Sequence, residues 1–280
     1  MLQELLLQVR VESGMKKIVK IDGFPAYAPD LAKSNDGFDP ESFNLLYQFE
    51  DKNYWFKARN LLIISLIKKY KIFGDTYLEI GCGTGYVLRA IENNFPHMVC
   101  WGSEIYTAGL KYTQERMQRS NLIQMDATCI PFQKKFNLVG AYDVIEHIDD
   151  DRRVLAGLYK ALIPGGNLIL TVPQHQFLWS AADEYACHKR RYSRSELKKK
   201  LTEVGFEVRM LGSYTSLLFP LMLISRIRMK NKKYNPDSEF KMPFWLNKLF
   251  ELILVFEVKL TTFGVRFPFG GSLIAIARKA

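Results

Sequence analysis

Short apolar runs alternate with segments of helical period along most of the chain. Residues 77–80, 98–102, 122–125, 136–141, 167–172, 206–208 and 272–277 are brief apolar stretches bounded by Gly, Asp or Glu, the pattern of strands buried on both faces. Between them lie helical segments. One follows residue 85 with Val87, Leu88 and Ile91 on its inner face, and a largely polar one spans 107–118. Another opens at Asp149-Asp150-Asp151, where acids suit the positive end of the helix dipole, and closes at Pro164-Gly165-Gly166. A last one spans 195–204 and stops at Gly205. Strands alternating with helices of about a dozen residues predict an α/β fold: a largely parallel sheet with helices on both faces.

The flanks differ. Residues 21–50 hold Gly23, Pro25, Pro29, Gly37 and Pro40 with little periodicity and read as a loop-rich arm. Residues 51–72 are rich in Leu, Ile and aromatics and predict a mostly buried cap helix. Residues 216–270 break the alternation before the last strand and read as an insertion. The expected organisation is an arm and cap helix over 1–72, a central domain over 73–215 and 271–280, and an apolar, basic insertion over 216–270.

Charge and cysteine content narrow the setting. The net charge is +10, which suits an anionic partner. The insertion supplies half of it, with nine Lys or Arg against four Asp or Glu. Cys82, Cys100, Cys129 and Cys187 form no Cys-x-x-Cys pair and predict buried, reduced thiols in a cytoplasmic protein without structural metal. Leu5-Leu6-Leu7 is too short for the apolar core of a secretion signal, and Met15 is a second candidate start. The nearest approach to a spanning segment, 210–225, has no formal charge but is too short and too broken by Gly, Ser and Pro to span a bilayer.

The first strand runs into Gly81-Cys82-Gly83-Thr84-Gly85 and then a helix, a nucleotide-binding turn in which glycines let a ligand approach the main chain. Tyr86 stands where a dinucleotide fingerprint needs its next glycine, and the loop has no lysine for a phosphate. The next strand ends at Glu104, placed to accept from the hydroxyls of a ribose. Asp126 ends the third strand, where an adenine amine would lie, and Glu79 precedes the glycines, where it suits an ammonium group. An adenosine that bears an amino acid instead of phosphates is S-adenosylmethionine.

These residues carry a resemblance. Leu78-Glu79-Ile80-Gly81-Cys82-Gly83-Thr84-Gly85 resembles the first motif of class I S-adenosylmethionine-dependent methyltransferases. Glu104 matches that family's ribose-binding acid and Asp126-Ala127 its adenine-edge pair. Tyr142-Asp143-Val144-Ile145-Glu146-His147 is similar to the fourth-strand motif, and Leu162-Ile163-Pro164-Gly165-Gly166 to the turn before the fifth strand. The resemblance covers about 75–214 and the last strand. It implies a Rossmann-like seven-stranded sheet whose last strand inserts antiparallel beside the fifth. It also implies a cofactor site of Glu79, Gly81, Cys82, Gly83, Gly85, Glu104, Asp126, Ala127 and Asp143. Tyr54-Trp55-Phe56-x-x-Arg59 is similar to an N-terminal segment of a bacterial subgroup, in which Arg59 would pair with the cofactor carboxylate or the aromatics would simply pack.

The Asp-Val-Ile-Glu-His form is similar to that of small-molecule O- and C-methyltransferases and unlike the motif of nucleobase enzymes. His147, His175 and His188 stand as candidate bases for a hydroxyl acceptor. Asp183-Glu184-Tyr185 and His188-Lys189-Arg190-Arg191-Tyr192-Ser193 resemble a segment of bacterial methyltransferases of surface-glycan and lipid-linked sugar synthesis. Arg190 and Arg191 would clamp an anion there or form a solvated basic loop. The expectation is O-methylation of a small, sugar or lipid-linked acceptor. A cofactor-binding protein without catalysis and an RNA methyltransferase are the alternatives, with nucleic acid the weaker partner. The apolar run 217–224 followed by Arg226, Arg228, Lys230, Lys232 and Lys233 suits either an acceptor lid or docking on the anionic inner membrane face.

Overall fold

The buried runs form the centre of one sheet. β3 (Thr76–Ile80), β4 (Val99–Glu104), β5 (Asn121–Gln124), β6 (Phe136–Tyr142) and β7 (Leu162–Pro173) are parallel. β8 (Phe206–Tyr214) and β9 (Ser272–Lys279) complete one side, with β9 antiparallel to both β7 and β8. The last strand therefore sits where the resemblance implied. The structure, a computed structural model, describes residues 19–33, 39–229 and 242–280. Leu5-Leu6-Leu7, Met15, Lys230, Lys232 and Lys233 lie outside the described residues.

Among the described residues the sheet has nine strands, not seven, in the order β1-β2-β5-β4-β3-β6-β7-β9-β8. The two extra strands come from the arm expected to be loop-rich. β1 (Val19–Ile21) and β2 (Phe24–Ala26) form a hairpin around Asp22 and Gly23, both at positive φ. That is the backbone a two-residue hairpin turn requires. Gln124 fastens the hairpin to the sheet, bonding both the N–H and the carbonyl of Ala28. The arm also holds a helix, α1 (Ser42–Phe49). The expected cap helix is α2 (Tyr54–Lys69), whose first turn is capped by the Asn53 side chain.

Four central helices follow the expected order, α3 (Tyr86–Asn94), α4 (Thr107–Arg116), α5 (Asp151–Ala161) and α7 (Arg194–Val204), and the short α6 (Ala181–Tyr185) is an addition to it. α5 ends before Pro164, and residues 163–166 form an irregularity inside β7, where pairing jumps from Phe136↔Leu162 to Leu138↔Asn167. One face of the sheet buries Leu155, Leu158, Leu197 and Leu201 of α5 and α7. The other buries Leu62, Ile63 and Leu66 of α2 with Leu88 and Ile91 of α3. The described residues of the insertion include two helices, α8 (Phe219–Met229) and α9 (Phe244–Phe263), and α9 packs along α2.

β3 lies between β4 and β6, so the chain order reverses there and opens a crevice at the carboxyl ends of the strands. Register places Ile80 beside Ser103 and Ala141, and Glu104 beside Gln124. Gly81, Glu104, Asp126 and Asp143 thereby reach one edge of the sheet.

Candidate active site

A cavity of about 880 Å³ opens at that edge. Its floor is the loop after β3. Gly81 and Gly83 have φ of 64° and 55°, a region that disfavours side chains. A Cβ on Gly81 would stand 2.6 Å from Val144, whereas one on Gly83 would meet only Phe43, at 3.7 Å. Gly85 also has positive φ but faces away from the cavity, where Thr113 fills the space beside it. Its part is to start α3, which corrects its place among the lining residues.

Glu104 is buried, and its carboxylate accepts from the N–H groups of Gly83 (3.0 Å), Ile105 (2.8 Å) and, weakly, Tyr106 (3.4 Å). Burial raises its pKa against the pull of those donors. Glu79 is more isolated: burial pushes its carboxyl up to about 8, although the Tyr77 hydroxyl at 2.8 Å and Arg59 pull the other way. Asp126 accepts from the N–H and hydroxyl of Thr128 at 2.8 and 2.6 Å, and Asp126 and Ala127 line the cavity beside Met125. Cys82 lines the floor with a buried thiol whose pKa burial raises strongly. Cys100 is buried too, but Cys129 is exposed and Cys187 half-buried, contrary to the expectation for all four.

Arg59 is buried over the ring of Trp55, and its guanidinium bonds Asp143 at 2.7 Å. The two residues assigned separately to the cofactor thus hold each other, and Asp143 adopts a positive φ of 56° in doing so. Arg116 ties the arm to the glycine loop by bonding Glu50 (2.6 Å) and the Thr84 hydroxyl (2.8 Å). This fixes α1 beside the loop and accounts for Phe43 in the cavity wall.

The opposite end of the cavity carries Glu146, His147, Asp183, His188 and Arg191. Asp183 is the hub. Its carboxylate receives His188 Nδ1 at 2.9 Å, Arg191 Nε at 2.7 Å and the Ser180 N–H at 2.9 Å. Burial would raise its pKa, yet His188 and Arg191 hold it at about 2. His147 packs edge-on to His188 with centroids 4.8 Å apart, and burial with that neighbour lowers its pKa to about 3, making it a poor base. His175 lies outside the cavity lining, stacked on Phe177 and near Phe219 and Phe269. Its candidacy as a base loses its geometric footing.

The two arginines of the basic segment pair with carboxylates of this chain. Arg190 reaches Asp151 at 3.0 Å and Arg191 turns inward to Asp183. Tyr192 is fully buried with its hydroxyl 2.6 Å from Asp151. Sequence reasoning missed Asp183 and Glu146 as site residues. Both lie within segments already singled out, but their partners are brought in only by the fold. Leu218 just before α8, Leu221 and Met222 of α8 and Phe250 of α9 line the roof of the cavity.

A family model described as a methyltransferase domain matches residues 47–211. The chain belongs to that family. This methyltransferase is 25% identical over 161 residues to a Mycolicibacterium smegmatis protein named as an S-adenosylmethionine-dependent methyltransferase. The match covers 56% of this chain and 61% of that one. It is 30% identical over 116 residues to phosphoethanolamine N-methyltransferase 2 of Caenorhabditis elegans, covering 39% of this chain and 26% of that one. The matches thus span less than two thirds of these relatives. A solved S-adenosylmethionine-dependent methyltransferase of Thermotoga maritima superposes with a TM-score of 0.54 at 16% identity. It covers 86% of this chain and 96% of that one and shows the shared Rossmann-like fold.

Proposed function

We propose that this chain transfers a methyl group from S-adenosylmethionine to a hydroxyl of a small acceptor, sugar or lipid-linked, reached from an anionic membrane face. The observation that carries the reading is one cavity with two chemically distinct ends. The floor suits the cofactor: no basic residue stands in the 81–85 loop to favour phosphate, and Gly83 leaves the main chain open. Glu104 offers its remaining lone-pair position to a ribose hydroxyl, and Asp126 and Ala127 flank the adenine position. Glu79 faces the amino-acid end, where an ammonium group would ionise it. When bound, the cofactor supplies an electrophilic methyl on a sulfonium, so the protein's main task is alignment.

At the other end the Asp183–His188 pair orients an imidazole toward the acceptor. This makes His188 the favoured base over the low-pKa His147.

The roof supports a membrane-derived acceptor. Every exposed residue of α9 is apolar or lysine: Phe244, Trp245, Lys248, Leu249, Leu252, Phe256, Lys259 and Phe263. Trp245 is 68% and Phe256 56% exposed, while the opposite face buries Leu254 and Val258. Glu251 bridges Lys57 at 2.7 Å and Lys248 of the stripe at 3.3 Å, and no exposed position of the helix is acidic. An apolar stripe studded with lysine suits the headgroup layer of an anionic bilayer. No helix among the described residues is long and apolar enough to cross one.

Co-sedimentation with phosphatidylglycerol-containing vesicles tests this part. Binding is expected with the anionic vesicles and not with neutral ones, and Trp245→Glu with Leu249→Glu should abolish it. Equal recovery in the supernatant from both vesicle types would leave the roof as a lid only.

A further inference from the structure

Glu146 is fully buried, and neither of its carboxylate oxygens has a hydrogen-bond partner among the described residues. A buried carboxylate in that state is costly unless a donor or cation meets it. It sits on the 3-10 turn after β6, Ile145–His147, next to His147. The Lys189 N–H bonds the Glu146 carbonyl at 2.7 Å and so draws His188 against the same turn. One donor atom each from Glu146, His147 and His188 lies within 4.8 Å of the others.

The surroundings orient these groups. Asp183 takes His188 Nδ1, which directs Nε2 away from it, and Arg191 and Ser180 hold Asp183 in turn. The backbone of Asp143, Ala186 and Cys187 holds the His147 ring. An imidazole whose other nitrogen is anchored by a carboxylate or carbonyl is the usual outer arrangement of a metal-binding histidine. Donor atoms about 2.1 Å from one tetrahedral ion stand about 3.4 Å apart, so shifts of up to about 0.7 Å per residue complete the set.

We propose that Glu146, His147 and His188 bind one divalent first-row transition-metal ion in the acceptor end of the cavity. Two imidazoles and one carboxylate favour Zn²⁺ or Mn²⁺ over the all-oxygen preference of Mg²⁺ and Ca²⁺. Three protein ligands leave a coordination position facing the cavity. An acceptor oxygen fits there; this second step rests on the functional reading above, whereas metal binding does not. A coordinated hydroxyl gives its proton to solvent more readily. Its oxygen then forms the new O–CH3 bond as the S–CH3 bond breaks, with the bonding electron pair left on sulfur. On this account His188 serves as a ligand in the metal-loaded protein instead of as the base.

The test uses the full chain, stripped with chelator and titrated calorimetrically with Zn²⁺, and with Mn²⁺, in the absence of cofactor and acceptor. One saturable equivalent is expected, with Mg²⁺ at least tenfold weaker. Glu146→Gln and His188→Asn should each weaken binding more than tenfold, and Asp183→Asn about 10- to 100-fold. Co²⁺ should develop a ligand-field absorption that Glu146→Gln loses. His188, only partly buried, keeps the test decisive if Glu146→Gln misfolds. Absence of a saturable site, or equal affinity in wild type and His188→Asn, would overturn the proposal. Saturable metal binding in a chain that fails to bind S-adenosylmethionine would leave this site standing and remove the functional reading alone.

Discussion

Replacing Glu104 by Gln isolates the carboxylate on which the cofactor assignment turns. A carboxylate has four lone-pair positions, and Gly83 and Ile105 N–H groups occupy two of them at 3.0 and 2.8 Å. The 3.4 Å contact from Tyr106 occupies a third weakly. One ribose hydroxyl takes the fourth position, and the second displaces the Tyr106 contact. Gln keeps the shape but sets an amide N–H2 against donors on one side. Hydrogen bonds to a charged acceptor contribute about 1.5–3 kcal/mol, so losing one raises Kd by about 12- to 160-fold. The same change leaves a backbone N–H poorly paired, so a drop in melting temperature of roughly 2–4 °C for each kcal/mol lost accompanies it. Isothermal titration of S-adenosylmethionine at a temperature where both proteins are folded separates the two effects. A folded variant with Kd within twofold of wild type would refute the assignment of Glu104 to the ribose.

Glu79 predicts a pH dependence. Its carboxyl, pushed up to about 8 by burial, is mostly protonated in the free protein at neutral pH. A cationic ligand favours the ionised form, so binding releases a proton and affinity rises from pH 6 toward 8, by up to about tenfold per unit. Titrations in buffers of different ionisation enthalpy read the proton directly, and Glu79→Gln should lose it; binding without proton release contradicts the assignment. The same raised pKa destabilises the free protein as pH climbs from the unfolded value through 8, so Glu79→Gln should gain stability over wild type near pH 8 in thermal melts. Gly83→Val should fold, since its Cβ meets only Phe43, yet a β-branched residue at φ 55° strains the loop and fills the cofactor's approach. Circular dichroism should match wild type while cofactor affinity falls more than 100-fold, and retained affinity places the site elsewhere.

How far the sequence discloses this molecule depends on how local each feature is. The central strands are readable because both their faces are buried, which makes them continuous apolar runs, and Glu104 and Asp126 are readable because strand ends carry the chemistry in this topology. The β1–β2 hairpin is obscured: each strand has only three residues, and Pro25 argues against a strand, although Asp22-Gly23 is a two-residue turn signal. α1 is hidden for a similar reason, being two turns between Pro40 and Asp51, and its position depends on the distant Arg116–Glu50 pair. The acceptor end is the least legible. Glu146 and Asp183 belong to separate segments, which the Lys189 bond to Glu146, with the His188 and Arg191 bonds to Asp183, brings to one wall. Likewise, an apolar α9 reads as a buried helix until packing against α2 shows which half of it stays outside.

The central claim is that the cavity floor is made for an adenosine carrying an amino acid and not a phosphate. Calorimetric titration of the full chain with S-adenosylmethionine and, in parallel, with ATP tests it most directly. The account predicts one saturable equivalent of S-adenosylmethionine, product S-adenosylhomocysteine competing for it, and no detectable ATP binding. Binding of ATP as tight as that of S-adenosylmethionine, or no binding of the latter by a folded chain, would contradict it.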